Sequence, residues 1–252
     1  MVELSELVRF TDDLLEVDRF TDYCPNGLQV EGRAQVNRLV SGVTASRALI
    51  DAAVAAQADA LLVHHGYFWR GEDARIVGMK RQRLAELLQH DMSLLAYHLP
   101  LDVHPLYGNN AQLGERLGLT VEGRFAPEGD TGIGLYGHLP AAMTAQAFGQ
   151  HIGSVLGRAP LHVAGGIEEI RTLAWCTGAA QGYIDAAADL GVDAYLSGEV
   201  SEQTVHIARE RGLHYFAAGH HATERFGVQA LGQFLAREFD IEHRFIDIDN
   251  PV

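Results

Sequence analysis

Apolar and polar positions change period along this chain. Leu4, Leu7, Val8, Leu14 and Leu15 recur at helical spacing and predict an amphipathic helix over about residues 3–17. Short strands follow at Leu28–Val30 and Arg38–Thr44, and Ser46 reads as the cap of an alanine-rich helix through Gln57. A continuous apolar run, Ala60–Val63, reads as a buried strand, and Met79–Gln89 as a helix. A second buried strand begins at Ser93, and a turn at Tyr107–Asn110 leads into a helix over Ala111–Leu117. Beyond residue 130 the alternation continues. Strands are expected at Ile133–Leu139, Thr172–Cys176, Ala194–Ser197 and from His214, with a last one at His243–Ile248. Helices are expected at Thr144–Leu156, Gly182–Leu190, Ser201–Arg211 and Thr223–Glu238. Strand and helix in alternation predict an α/β fold with mostly parallel sheets.

The glycine-rich stretch Glu122–Gly134 interrupts this order and reads as a domain boundary. Two linked α/β domains are therefore expected. One is built from residues 1–125 plus 214–252 and the other from 126–213. A chain of 252 residues with 47% hydrophobic content and 27 glycines has ample material for two cores and many tight turns. Its net charge of −14 argues against a nucleic-acid partner. Cys24 and Cys176 are far apart and read as reduced thiols of a cytoplasmic protein. The N-terminal residues are acidic and lack the basic-then-apolar order of a leader, and no apolar run is long enough for a membrane span.

Chemistry concentrates at three strand ends. Leu61-Leu62-Val63 runs directly into His64-His65-Gly66. Leu94-Leu95-Ala96-Tyr97 runs into His98, with Asp102 and His104 close behind. Tyr215-Phe216-Ala217-Ala218-Gly219 runs into His220-His221, with Glu224 four residues after His220. Carboxyl ends of strands are where open α/β sheets hold ligands. His64 and His65 are sequence neighbours, so a regular strand points them to opposite faces. Either one ligates and the other supports it, or each serves a different ion. Pro100 between His98 and Asp102 is read as excluding a helix there. His220 and Glu224, by contrast, share one face of a helix.

Six nitrogen and oxygen donors result: His64, His65, His98, Asp102, His220 and Glu224. They suit two divalent ions of the iron, zinc, manganese, cobalt or nickel type. His104 and His221 are expected to support the ligands or carry protons as the catalytic histidines. His90, His138, His151, His162, His206, His214 and His243 read as structural. Glu199, in Ser197-Gly198-Glu199, reads as the acidic start of the next helix. Cys176-Thr177-Gly178 reads as a small-residue turn able to admit an anion on its N–H groups.

Five segments spread over the chain carry a resemblance. They are Asn26-Gly27-Leu28-Gln29-Val30, Leu62-Val63-His64-His65-Gly66, His98-Leu99-Pro100-Leu101-Asp102, Tyr195-Leu196-Ser197-Gly198-Glu199 and Gly219-His220-His221-Ala222-Thr223-Glu224. With them the chain resembles the Nif-three-like dinuclear metal-centre proteins, named as GTP cyclohydrolase I type 2 homologues. The resemblance implies a homohexamer built as a trimer of dimers. It also implies a two-metal centre on the same six residues, with Asp102 and Glu224 as bridging candidates. A metal-dependent hydrolase acting on a small, nucleotide-like molecule is the first functional expectation. A non-catalytic or regulatory metal-binding ring protein is the second.

Overall fold

The computed structural model describes residues 1–128 and 131–252. It divides into two units, Met1–Gly108 with Gly227–Asp249, and Asn109–Phe226 with Asn250–Val252. The fold is mixed α/β, as the alternation of periods predicts.

The first unit is organised on a five-stranded sheet. In spatial order its strands are Glu242–Phe245, Arg38–Thr44, Ala60–His65, Ser93–Ala96 and Gly27–Val30. The first four run parallel and the last is antiparallel. Ala60–His65 and Ser93–Ala96, inside the sheet, are buried on both faces over their apolar residues, which is why they read as unbroken apolar runs. Leu39, Ala60, Leu62 and Leu95 face one core, shared with helix Leu4–Leu14 and with Val228, Leu231 and Leu235. Val40, Leu61, Val63 and Leu94 face the other, shared with helices Arg47–Ala55 and Gly78–Gln89. Ser46 caps the first of these helices, its hydroxyl accepting from the Leu49 N–H at 3.3 Å.

The second unit holds a six-stranded sheet in the order Thr120–Glu128, Thr131–Thr144, Glu169–Cys176, Ala194–Ser197, His214–Ala217 and Leu161–Val163. Only Glu169–Cys176, Ala194–Ser197 and His214–Ala217 are parallel neighbours. The flanking pairings are antiparallel, so this sheet is mixed. Trp175, Phe148 and Phe216 lie at the centre of its core.

Three expectations are revised. First, the units divide near residues 108 and 227, where the sequence pointed to 125 and 213. Strand His214–Ala217 pairs with Ala194–Ser197 and so belongs to the second sheet. The described residues of glycine-rich Glu122–Gly134, up to Glu128 and from Thr131, pair as antiparallel strands in that sheet. Gly129 and Asp130, which fall within the expected boundary, lie outside the described residues. Second, Leu99–Val103 is a short helix with Pro100 in its first turn. There proline's missing N–H has no partner to lose. Third, the helix expected from Thr223 begins at His220 and runs to Phe239. Among the described residues no helix is long and apolar enough to cross a membrane.

His243 anchors the edge strand of the first sheet. Its Nε2 lies 2.8 Å from Ser41 Oγ. A side chain at Gly232 would overlap the same atom, so this glycine makes room for the ring. Burial pushes His243 down from 6.5 to about 4. The unfolded chain takes up this proton near pH 6.5 and the folded protein only near pH 4. Stability is therefore lost as pH falls through that window. The difference is worth roughly 2 kcal/mol once solvent screening is allowed for. Urea unfolding at pH 6.5 and pH 4 should show that loss in wild type and lack it in His243→Gln. Parallel losses in the two proteins would assign the acid sensitivity elsewhere.

Candidate metal centre

In the first unit the ends of two parallel strands bring three histidines together. His64 and His65 close Ala60–His65, and His98 follows Ser93–Ala96. One ring nitrogen from each lies within 4.8 Å of the others. Alternation sends His64 towards the Leu62 face and His65 towards the Val63 face. The rings nevertheless meet, with centroids 4.5 Å apart. Pairing with Ser93–Ala96 ends at Val63–Ala96, while pairing with Arg38–Thr44 continues to Thr44–His65.

Hydrogen bonds select which nitrogen each ring presents. His64 is fully buried, and its Nδ1–H donates to the Tyr97 carbonyl at 2.8 Å. A carbonyl can only accept, so the neutral ring keeps its lone pair on Nε2. That atom lies 3.5 Å from Asp102 Oδ1. His65 Nδ1 lies 3.1 Å from Thr44 Oγ1. His98 Nδ1 is 2.7 Å from Asp22 Oδ1. Asp102, on the first turn of Leu99–Val103, is 6% exposed, and its N–H donates to the His98 carbonyl at 3.1 Å. The helix thus sets His98 and Asp102 four residues apart on one face, which the loop expectation left open.

Asp22 is the residue the sequence did not mark. Besides His98 it accepts from Tyr23 N–H, Asn26 Nδ2–H and Leu99 N–H, at 2.6, 2.9 and 2.9 Å. Burial works against its charge. The hydrogen bond and charge of His98, with those backbone and amide donors, outweigh burial and hold it down at about 2. Asn26 Oδ1 also accepts from the His98 N–H at 2.7 Å. Gln29 accepts the Tyr67 N–H at 2.7 Å and donates to the Tyr67 carbonyl at 3.1 Å. A side chain at Gly66 would overlap that same amide. The Asn26–Val30 segment therefore fixes the turns that follow His65 and precede His98.

In the second unit His220 stands between two carboxylates. Its Nδ1 is 2.7 Å from Glu199 Oε1 and its Nε2 is 3.1 Å from Glu224 Oε2. Burial alone would lower His220. Glu224 and Glu199 outweigh it and raise the ring to about 9. Glu199 lies before helix Glu202–Arg211, so it orients His220, where the sequence pointed to a helix start. Three glycines make the packing possible. A side chain at Gly178 (φ +70°) would overlap Glu224 Oε1, and one at Gly198 would reach 2.7 Å from His220 Cα. One at Gly219 (φ +103°) would crowd the Arg158 guanidinium. The Glu224 carboxylate packs against Gly178 of the Cys176–Gly178 turn, where the sequence pointed to N–H groups open to an anion. The Gly178 N–H donates to Thr223 Oγ1 at 3.1 Å.

Neither His104 nor His221 supplies an atom to these donor groups among the described residues. His104 Nδ1 accepts from the N–H groups of Leu106 and Tyr107 at 3.2 and 3.0 Å, and its ring stacks on Tyr107. The His221 N–H donates to the Val252 carbonyl at 3.0 Å.

Fold and site together define an α/β protein that presents histidines, each oriented by a hydrogen-bonding partner, at the ends of parallel strands. The model of the Duf34/NIF3 (NGG1p interacting factor 3) family matches residues 2–251, and the chain belongs to that family. A GTP cyclohydrolase 1 type 2 homolog of Pseudomonas aeruginosa is 61% identical to it over 250 residues, 99% of each chain. Protein ybgI, a structural-genomics protein of unknown function, superposes with a TM-score of 0.96 at 50% identity over all of both chains. TTHA1606 of Thermus thermophilus does so at 0.90 with 34% identity, again over all of both chains.

Proposed function

We propose that the chain binds two divalent metal ions on His64, His65, His98, Asp102, His220 and Glu224. In this proposal it acts as a metal-dependent hydrolase on a small, nucleotide-like substrate. The observation that carries it is the pair of histidine–carboxylate contacts, His98 with Asp22 and His220 with Glu199, both 2.7 Å long. Metal-ligating histidines commonly give their second nitrogen to a carboxylate, which fixes the tautomer and makes the ring a better donor. The donors present also fit the group. Nitrogen and carboxylate oxygen suit the borderline and hard divalent ions. His220 Nε2 and Glu224 Oε2 lie 3.1 Å apart, a spacing compatible with two ligands each about 2.1 Å from a shared ion. Gly178 leaves the space that Glu224 needs to take this position.

When bound, such ions supply Lewis acidity and the positive charge that a chain of net charge −14 lacks for an anionic substrate. Around them, Asp22 and Glu199 hold the rings of His98 and His220 in place. His104 keeps its Nδ1 as an acceptor within its own turn, so its neutral ring carries the proton on Nε2. That is the atom we assign to proton transfer, with His221 as the second candidate. The name shared by the relatives, GTP cyclohydrolase 1 type 2 homolog, supports a nucleotide-like substrate. We further propose a cytoplasmic homohexamer, a trimer of dimers, with no nucleic-acid or membrane partner.

The test is a screen of metal-replete protein against GTP, phosphomonoesters and diesters, and cyclic amides. Turnover of one class that disappears on chelation is the expected result. Protein that holds two ions yet is inert to every class would end the hydrolase proposal and leave a non-catalytic metal-binding protein.

A further inference from the structure

The turn after His65 carries four large side chains in succession, Tyr67, Phe68, Trp69 and Arg70. Tyr67 is the anchor. It is buried, and its hydroxyl donates to the Ala45 carbonyl at 2.6 Å. Trp69 borders the histidine cluster, and Arg70 the segment that supports it. Trp69 donates its indole N–H to the Gly66 carbonyl at 3.2 Å. Its ring stands edge-on to His98, with centroids 5.0 Å apart, and lies 6.1 Å from His65. Arg70 fastens this turn to the segment that carries Asp22. Its N–H donates to the Tyr23 carbonyl at 2.6 Å and its guanidinium to the Asp22 carbonyl at 2.9 Å. The same guanidinium lies 5.7 Å from the centre of the Tyr23 ring. Tyr23 is 49% exposed, and its ring is 6.4 Å from that of His98.

Phe68 is held in the left-handed region (φ +64°) and is 37% exposed. For a bulky L-residue that backbone is strained, and such strain gathers at functional sites. The one lysine in the sequence, Lys80, lies over its ring at 5.0 Å. One cation–aromatic pair, Arg70 with Tyr23, lies beside the histidine cluster of a strongly acidic chain. Core packing explains Tyr67. It does not explain two partly open rings, Tyr23 and Trp69, and a cation beside three histidines.

We propose that Tyr23, Trp69 and Arg70 form the recognition wall of this site, and that its ligand is a small anion bearing a flat aromatic ring. This rests on the metal-site proposal above and names the part of the substrate the first unit grips. The rings take the flat part by stacking, and Arg70 takes the negative charge. A ligand with charge but no ring would reach Arg70 and miss the rings.

The probes are GTP and inorganic tripolyphosphate, titrated calorimetrically into the full-length protein as purified and after chelation. GTP should bind at least about tenfold more tightly than tripolyphosphate, the scale of one base stacked on an aromatic side chain. Trp69→Leu should bring that ratio close to one. Arg70→Gln should weaken both probes and preserve the ratio. Neither variant should lose metal, because neither side chain is a donor. Equal binding of the two probes, no binding of either, or an unchanged ratio in Trp69→Leu would overturn the wall. Elemental analysis of the same samples separates the two proposals. Two ions without ring preference leave the metal site and remove the wall. Ring preference without metal leaves the wall and removes the metal site.

Discussion

Glu224→Ala protein, purified without chelator, is expected to carry less than half the metal of the wild type, which should hold nearly two ions per chain. Glu224 is 3% exposed and lies 3.1 Å from His220 Nε2. A buried carboxylate without a cation is costly to keep charged. In the metal-free protein His220 supplies that cation, its ring raised to about 9 by Glu224 and Glu199 against the effect of burial. A bound ion would take over the same work, so the pair fits two states, protonated or metal-loaded. Removing the carboxylate takes away both a ligand and much of the negative charge that favours the ion. His220 keeps Glu199 at 2.7 Å, so the ring stays oriented and the helix that begins with it should persist. Elemental analysis with circular dichroism of both proteins decides the matter. Equal metal content in two folded proteins would exclude Glu224 as a ligand and remove the bridge.

Much of the candidate donor set was legible because strand ends announce themselves. Ala60–Val63 is an unbroken apolar run, and the two histidines that follow are the strand's last residues, of which His65 is the first to reach partial exposure. The i, i+4 relation of His220 and Glu224 needed only a helix, and the helix is there. What stayed hidden was the support. Asp22 sits in a loop without hydrophobic period and meets His98, 76 residues away, through a contact no local pattern encodes. Glu199 was visible as an acid after a strand. Its role depends on the close approach of the Gly198 backbone to His220, which only the packed sheet reveals. Pro100 misled because a proline inside a helix and one in its first turn are the same letter. The next turn, not the proline, decides which applies. The unit boundary misled for a related reason. Glycines at 123, 132 and 134 suggested a linker, yet they lie in antiparallel paired strands. Gly134, for example, packs beneath the Phe125 ring.

Gly178→Ala is expected to cost about 2 kcal/mol or more in unfolding free energy and to remove metal with it. Two independent effects meet at this residue. Its φ of +70° lies in the left-handed region, where an L side chain costs about 1–2 kcal/mol. The added methyl would also overlap Glu224 Oε1 and reach within 3.2 Å of His220 Nε2. Glu224 has little room to yield, being buried on the first turns of its helix. Gly178 has as little. Its N–H is bound to Thr223 Oγ1, and its carbonyl accepts from the Gly198 N–H at 3.0 Å and the Ser197 hydroxyl at 3.3 Å. The carboxylate must therefore move, and it leaves His220 when it does. Gly182→Ala is the matched control, since a methyl there meets no atom within 4 Å and no left-handed backbone. Urea unfolding and elemental analysis of the two variants should separate them on both measures. If Gly178→Ala were as stable and as metal-loaded as Gly182→Ala, the glycine would not be shaping the site. Glu224 would then owe its position to its helix alone.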